Sequence, residues 1–330
     1  MICVVLLFSA CGYATDGYSK DTTETTIVTE TTTDDTTTNQ TTEITTPTTE
    51  MVDLIEKEEL AVPLDKIEQH GKSITLYGDV AENEELKALE TELNKYGKKF
   101  SVVIWSLDGT KALSYNTNAT FFSACTIKAG FALYCCRQID AGVVSKDEEM
   151  TYEAKHYHGG SGKIRYNSYG SKYTIQYLIE QSLNISDNVA YKMLLDRFGT
   201  KGYDEYMRSI GANTLVLNGR TWGSAIKAQD LIRVWNEMNN YFKEDTVASN
   251  FLQKCCTGSP YNYGTQMLEN CTYSHKSGDN FGTNAAYNDA GIVWTKDGGY
   301  AYAILSKSEG EYVDRQIFST VMKKVNNVFG

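Results

Sequence analysis

The chain has 330 residues, with 42 acidic against 31 basic side chains for a formal charge of −11, and 41% of its residues are hydrophobic, enough for one large core or two small ones. A net acidic chain without a Lys/Arg cluster excludes nucleic acid as the main partner, because a phosphate backbone would repel it. A polytopic membrane protein is excluded too, since no apolar run approaches the roughly 20 residues a spanning helix needs. The charge is uneven: residues 1–100 carry 20 acidic and 8 basic side chains, residues 101–330 carry 22 and 23. The acidity belongs to the front of the chain, and the remainder is close to neutral.

Ile2 to Ser9 form a short apolar run that meets Ala10-Cys11 and then turns abruptly polar. The pattern resembles the lipobox of a bacterial lipoprotein, although Phe8 stands where an aliphatic residue is usual and no Lys or Arg precedes the run. The resemblance implies an anchor over residues 1–21, lipidated at Cys11, on the extracellular face of a bacterial cytoplasmic membrane. An ordinary cleaved signal is the alternative, and both imply export. From Thr22 to Glu50 more than half the residues are threonine, with acidic residues interspersed and no Lys or Arg. Such a segment buries too little apolar surface to offset its ordering entropy, so residues 22–50 are expected to be a disordered stalk.

Residues 51–83 carry a weak apolar pattern and read as a junction, with a possible short strand at SITLYG. Leu86, Leu89 and Leu93 recur at helical spacing from Glu84 to Tyr96, and Gly97 ends that helix. SVVIWSL, Asp108-Gly109 and ALSY read as a hairpin. A long helical stretch is expected from about Cys125 to about Arg233, broken by a Gly/Tyr-rich loop at 157–170. Strand signals return in CTYSHKS, AAYNDAGIVW and YAYAILS, and a last amphipathic helix runs from about Tyr312 to Val328. The order predicts an α+β domain over residues 84–330: a five-stranded antiparallel sheet flanked by the terminal helices, plus an all-helical lobe, with a site at the seam.

Three short constellations carry chemistry. Cys125 and Lys128, three residues apart at a helix start, share one helix face, where the dipole and the ammonium both favour a thiolate. Ser186-Asp187-Asn188 lies between two helical runs and would serve equally as an N-cap. Lys276-Ser277-Gly278 lies on a strand, where a lysine is ordinary. Each is weak alone. Together and in this order they resemble S-x-x-K, S-D-N and K-[ST]-G of the class A β-lactamases and the related penicillin-binding D,D-peptidases. The likeness extends over about residues 84–330 and includes the hairpin, RQIDAG, YTIQYLIEQSLNISDNVAYKMLLDRFG and NDAGIVW.

The resemblance implies a role for each position. Cys125 stands at the acylated nucleophile and Lys128 at its general base. Ser186 would relay a proton to the leaving nitrogen, and Asn188 would hold the substrate's amide carbonyl. Lys276 and Ser277 would bind the substrate carboxylate. The backbone N–H groups of Cys125 and Asp279, beside Gly278, would form the oxyanion hole, and Asp187 would brace its loop. Two departures stand out. The nucleophile is cysteine rather than serine, which would give a thioester; Ser123, five residues from Lys128, is off the helix face. The segment from Ser209 to Gln229 contains no Asp or Glu, so the glutamate that activates the deacylating water in class A β-lactamases has no counterpart.

The implied ligand is a β-lactam or a peptidoglycan stem peptide, bound by a monomer that needs no cofactor or metal. A sensor that captures such ligands without turning them over is the alternative. The histidines and cysteines lack metal-ligand spacing. His156-Tyr157-His158 with the following Gly159-Gly160-Ser161-Gly162 reads as a mobile loop at the rim of the site. Cys135, Cys136, Cys255, Cys256 and Cys271 offer one disulfide, of open connectivity.

Overall fold

The computed structural model describes residues 73–78, 80, 83–220, 223–307 and 312–330. Cys11, the Thr-rich segment and residues 51–72 lie outside the described residues. The strand signal at SITLYG forms β1 (Thr75–Gly78). α1 (Glu84–Lys95) starts at Asn83, whose Oδ1 accepts the Leu86 N–H at 3.0 Å, and has Glu84 and Glu85 at its positive end. It buries Leu86, Leu89 and Leu93, as their spacing predicts. β2 (Phe100–Ser106) and β3 (Lys111–Tyr115) form the expected hairpin. Asp108 Oδ1 closes its turn by accepting from Thr110 N at 3.0 Å and Ser106 Oγ at 2.6 Å.

The insert is more interrupted than its sequence predicts. β4 (Phe121–Phe122), α2 (Ile127–Asp140), β5 (Glu149–Thr151) and β6 (Lys172–Thr174) lead into α3 (Ile175–Asn184), α4 (Asn188–Phe198) and α5 (Lys201–Ser209). A non-helical segment reaches β7 (Ala225–Ile226), then α6 (Ala228–Phe242) and α7 (Val247–Thr257) follow. The break after α2 therefore spans 141–174 rather than 157–170. The lobe is not all-helical either, because β5 pairs with β6 and β4 with β7. Such two- and three-residue pairings are too short to leave an alternation pattern.

β8 (Thr272–Asn280), β9 (Ala286–Thr295), β10 (Gly298–Ser306) and α8 (Tyr312–Phe329) complete the chain. The sheet has six strands instead of five, all antiparallel, in the order β1-β3-β2-β10-β9-β8. The additional strand is β1, an edge strand from the junction paired with β3 from Thr75↔Ser114 to Gly78↔Lys111. Its residues are only half-buried, which explains the weakness of its apolar signal.

Both sheet faces are covered, so β2 is apolar almost throughout instead of alternating. Val103 and Trp105 face the helical lobe, whereas Val102 and Ile104 face α1 and α8. β8 is the edge strand beside the lobe and packs against the turn that contains Cys125. That edge is the seam.

Candidate active site

Cys125 lies in a single 3-10 turn, Ala124–Thr126, that runs directly into α2. Ala124, just before it, has φ +45°, and Ser186 of the second constellation has φ +56°. Non-glycine residues in this left-handed region cost about 1–3 kcal/mol each and concentrate at functional sites. Gly278 accounts for the close approach of β8: a Cβ there would lie 2.5 Å from Cys125 N and 2.7 Å from Thr126 N. Any side chain at 278 would push the strand off the turn that contains Cys125.

Lys128 is 1% exposed, and an ammonium so deeply buried needs partners. Its Nζ donates to the Ser186 carbonyl at 2.6 Å and to Asn188 Oδ1 at 2.7 Å, with Ser186 Oγ at 3.4 Å and the Tyr191 ring 5.8 Å away. The first two constellations, some 60 residues apart in the chain, thus meet on one ammonium. Lys276 Nζ is also buried and donates to the Ser277 carbonyl at 2.8 Å. Burial is the main cause that pulls its pKa down to about 8; the Lys128 charge adds to the fall, and Cys125, Asp279 and Asp289 oppose it.

Asp187 is fully buried and accepts four backbone N–H groups. Oδ1 takes Val189 and Ala190 at 2.9 and 3.0 Å, capping α4, and Oδ2 takes Lys163 and Ile164 at 2.7 and 2.9 Å. The capping role and the bracing role are therefore both filled by one carboxylate.

The 157–170 segment is tied to the site rather than lying loose at its rim. Besides its bonds to Asp187, Ser161 O accepts the Asn188 N–H at 3.1 Å, and Asn188 Nδ2 donates to Gly159 O at 2.8 Å. Gly162, at φ +104°, lets this backbone approach; a Cβ there would lie 2.2 Å from Asp187 Cγ. The Gly-Gly-Ser-Gly run was the available signal for this contact. His158 joins the site through it, with Nδ1 2.8 Å from Gly159 O and 3.5 Å from Asn188 Nδ2. Burial, assisted by the Lys192 and Lys128 charges, holds its imidazole below the usual range against the Gly159 hydrogen bond.

Three further residues carried no assignment in the sequence. Asn288 Nδ2 donates to Phe122 O at 2.8 Å and Ser123 O at 3.3 Å, fixing the strand that enters the Cys125 turn. Tyr263 donates its hydroxyl to Asp279 Oδ1 at 3.2 Å, and Asp289 is the cross-strand partner of Ser277.

The segment between α5 and α6 is anchored by carboxylates outside it. Asp204 accepts Leu217 N at 2.5 Å and Asn218 N at 2.8 Å, and Asp230 Oδ2 accepts Thr214 N at 2.6 Å. Ser123 Oγ, buried two residues before Cys125, accepts Ser224 N at 3.1 Å.

The six described cysteines are free thiols, so the disulfide that the sequence allowed is not formed among them. Burial raises the pKa of Cys135, Cys136, Cys255, Cys256 and Cys271. Among the described residues, no group of three or more His, Cys, Asp or Glu is arranged to hold a metal ion.

Residues 83–329 match the family model described as the β-lactamase enzyme family. Among solved structures the chain is similar to PBP-A, a point mutant of which was determined as an acyl-enzyme complex with penicillin G: TM-score 0.64, 20% identity, covering 73% of this chain and 97% of that one. A β-lactamase from Sphaerobacter thermophilus DSM 20745 gives TM-score 0.65 at 18% identity over 74% of this chain and 96% of that one. One from Chitinophaga pinensis DSM 2588 gives 0.67 at 17% over 75% and 100%. No curated protein matches the chain. At such identities the structural likeness establishes the fold.

Proposed function

The chain belongs to the β-lactamase enzyme family, and from that membership we propose that it is an exported, lipid-anchored acyl hydrolase whose Cys125 is acylated by a β-lactam or a D-Ala-D-Ala-type peptide and deacylates slowly. The observation that carries this reading is the convergence of Ser186 and Asn188 on Lys128, one turn from Cys125.

In this mechanism Cys125 and Lys128 react as a thiolate–ammonium pair: the proton of the thiol is held on Lys128 Nζ, and the sulfur attacks the carbonyl carbon. The developing oxyanion is held by the N–H groups of Cys125 and Asp279. Ser186, in contact with Lys128, passes the proton to the leaving nitrogen, whose bond to the carbonyl breaks to leave a thioester. Asn188 keeps its Oδ1 on Lys128 and offers Nδ2 to the substrate amide. Hydrolysis of the thioester requires an activated water, and the carboxylates nearest the α5–α6 segment, Asp204 and Asp230, are spent on its backbone. That observation also favours the second reading, a penicillin- or peptidoglycan-binding sensor that holds its acyl group.

Intact-protein mass spectrometry after incubation with excess penicillin G tests the proposal. A persistent adduct that disappears in Cys125→Ala is expected. Rapid turnover with no adduct would show efficient deacylation, and neither adduct nor product would overturn the acyl-transfer reading.

A further inference from the structure

Acyl transfer to Cys125 leaves one step without a base, the hydrolysis of the thioester. Asp204 and Asp230 are held by backbone N–H groups, and Asp187 is filled by four of them. Lys128 is occupied as well. Its nitrogen has three hydrogen-bonding directions, and the Ser186 carbonyl, Asn188 Oδ1 and Ser186 Oγ lie at 2.6, 2.7 and 3.4 Å. Once its proton has left by way of Ser186, the lone pair that remains faces that same hydroxyl.

His158 is the titratable side chain on the other side of Asn188. Gly159 O accepts from Asn188 Nδ2 and from the His158 ring, both at 2.8 Å. One amide therefore links the two groups: Oδ1 faces the Lys128 ammonium, and Nδ2 faces the carbonyl that holds the histidine. A carbonyl only accepts, which assigns the ring hydrogen to Nδ1. Asn188 Nδ2, 3.5 Å from Nδ1, is also a donor and agrees with this tautomer. The neutral ring then carries its basic lone pair on Nε2. The ring is half-buried and borders water, whereas Asn188 is buried. Its backbone is held from α4, where Lys192 Nζ lies 3.5 Å from Tyr157 O. The charged groups facing the ring are thus Lys128 of α2 and Lys192 of α4, and both, with burial, favour its neutral form. Asp187, next to Asn188, is turned to Lys163 and Ile164.

We propose that His158 is the general base of deacylation, taking a proton from the water that hydrolyses the Cys125 thioester. The inference rests on the acyl-transfer reading and favours its hydrolase form over the sensor. The water oxygen bonds to the thioester carbon while one of its protons passes to Nε2. The carbon–sulfur bond breaks with its electron pair on Sγ, and the acyl group leaves as a carboxylic acid. The imidazolium proton passes through solvent to the Lys128 amine, which gave its own to the leaving nitrogen, and the thiolate–ammonium pair is restored.

Mass spectrometry can follow the rise and decay of the adduct, with penicillin G as one acyl donor and p-nitrophenyl acetate, which needs no lactam recognition, as another; Cys125→Ala identifies the signal of that thiol. His158→Asn, whose amide can still donate to Gly159 O, should lengthen the adduct lifetime about a hundredfold, the low end of the range for a general base. Adduct formation should change by less than about threefold. In the parent protein, decay should slow as pH falls through the imidazole pKa, which lies below the ordinary 6.5, because a protonated ring accepts nothing. His158→Asn should lack that limb; melting curves check its folding, and the parent's profile stands without any variant. An unchanged lifetime in His158→Asn, a parent profile with no limb below 6.5, or equal slowing of formation and decay would overturn the proposal. A penicillin adduct whose decay ignores His158 removes only this inference. An acetyl adduct whose decay needs His158, with no penicillin adduct, removes only the lactam reading, and no adduct from either donor removes both.

Discussion

The corner around Lys128 and the segment between α5 and α6 border the same turn, that of Cys125, yet they use their polar groups in opposite directions. At the corner, the chain from Ser186 to Tyr191 sends three groups inward to one ammonium: the Ser186 carbonyl, Asn188 Oδ1 and the Tyr191 ring. Along the α5–α6 segment, Asp204 and Asp230 turn to the backbone that they hold in place. In the proposed mechanism the first arrangement positions a base for acylation. The second shapes a wall without presenting a carboxylate from its own residues to a water. If the proposed mechanism holds, the difference teaches that taking up an acyl group and releasing it are separate endowments of this fold, and that one can be complete without the other.

The sharpest way to break the comparison is Lys128→Met, which removes the group on which the corner converges. Adduct formation on Cys125 should slow by about 10²–10⁴-fold, the range of a general base, and stopped-time mass spectrometry measures it. Asp187→Asn comes next. It removes the charge that accepts four backbone N–H groups, so denaturant unfolding should show a loss of about 3 kcal/mol. Adduct formation should slow with it, because the 157–170 segment and Asn188 are released together. Asp204→Asn tests the other region. It should cost about 1–3 kcal/mol of stability and leave the acylation rate within about twofold; a large loss of acylation would show that the α5–α6 wall serves the first step as well.

The smallest effect concerns pH. The folded protein releases the Lys276 proton at about 8, below the 10.5 of an ordinary lysine. The unfolded chain therefore binds more protons between those values, and stability gains from this group as pH rises through 8 toward 10.5. Below 8 the cost of the buried charge is fully present. Lys276→Met removes that cost, so the stability advantage of the variant over the parent at about pH 7 should shrink at about pH 9.5 in matched urea titrations.

Much of the scaffold was legible in the residues themselves. β2, β9 and β10 are apolar because both faces of the sheet are covered, and the Leu86, Leu89, Leu93 spacing located α1. The three constellations could be read because each is contiguous. What could not be read depends on approach across the chain. Tyr263 and Asp279 are 16 positions apart and meet only when the segment containing Tyr263 folds against β8. Asn188 reaches Gly159 across 29 positions through a backbone path that only glycine at 162 leaves open. β1 was faint because an edge strand buries half of each residue, and the interruptions of the lobe were invisible because pairings of two or three residues have no period.

The burial of the thiols has a practical side. Burial raises the pKa of five of the six described cysteines, and the sixth is Cys125, in the turn that leads into α2. Only a thiolate reacts readily with an electrophile. A mild alkylating dye applied to the folded domain therefore finds little reactive thiol among those five, and labelling that is lost in Cys125→Ala reports on the cleft alone: its occupancy can be followed by how fast that part of the colour is taken up, before any substrate is known.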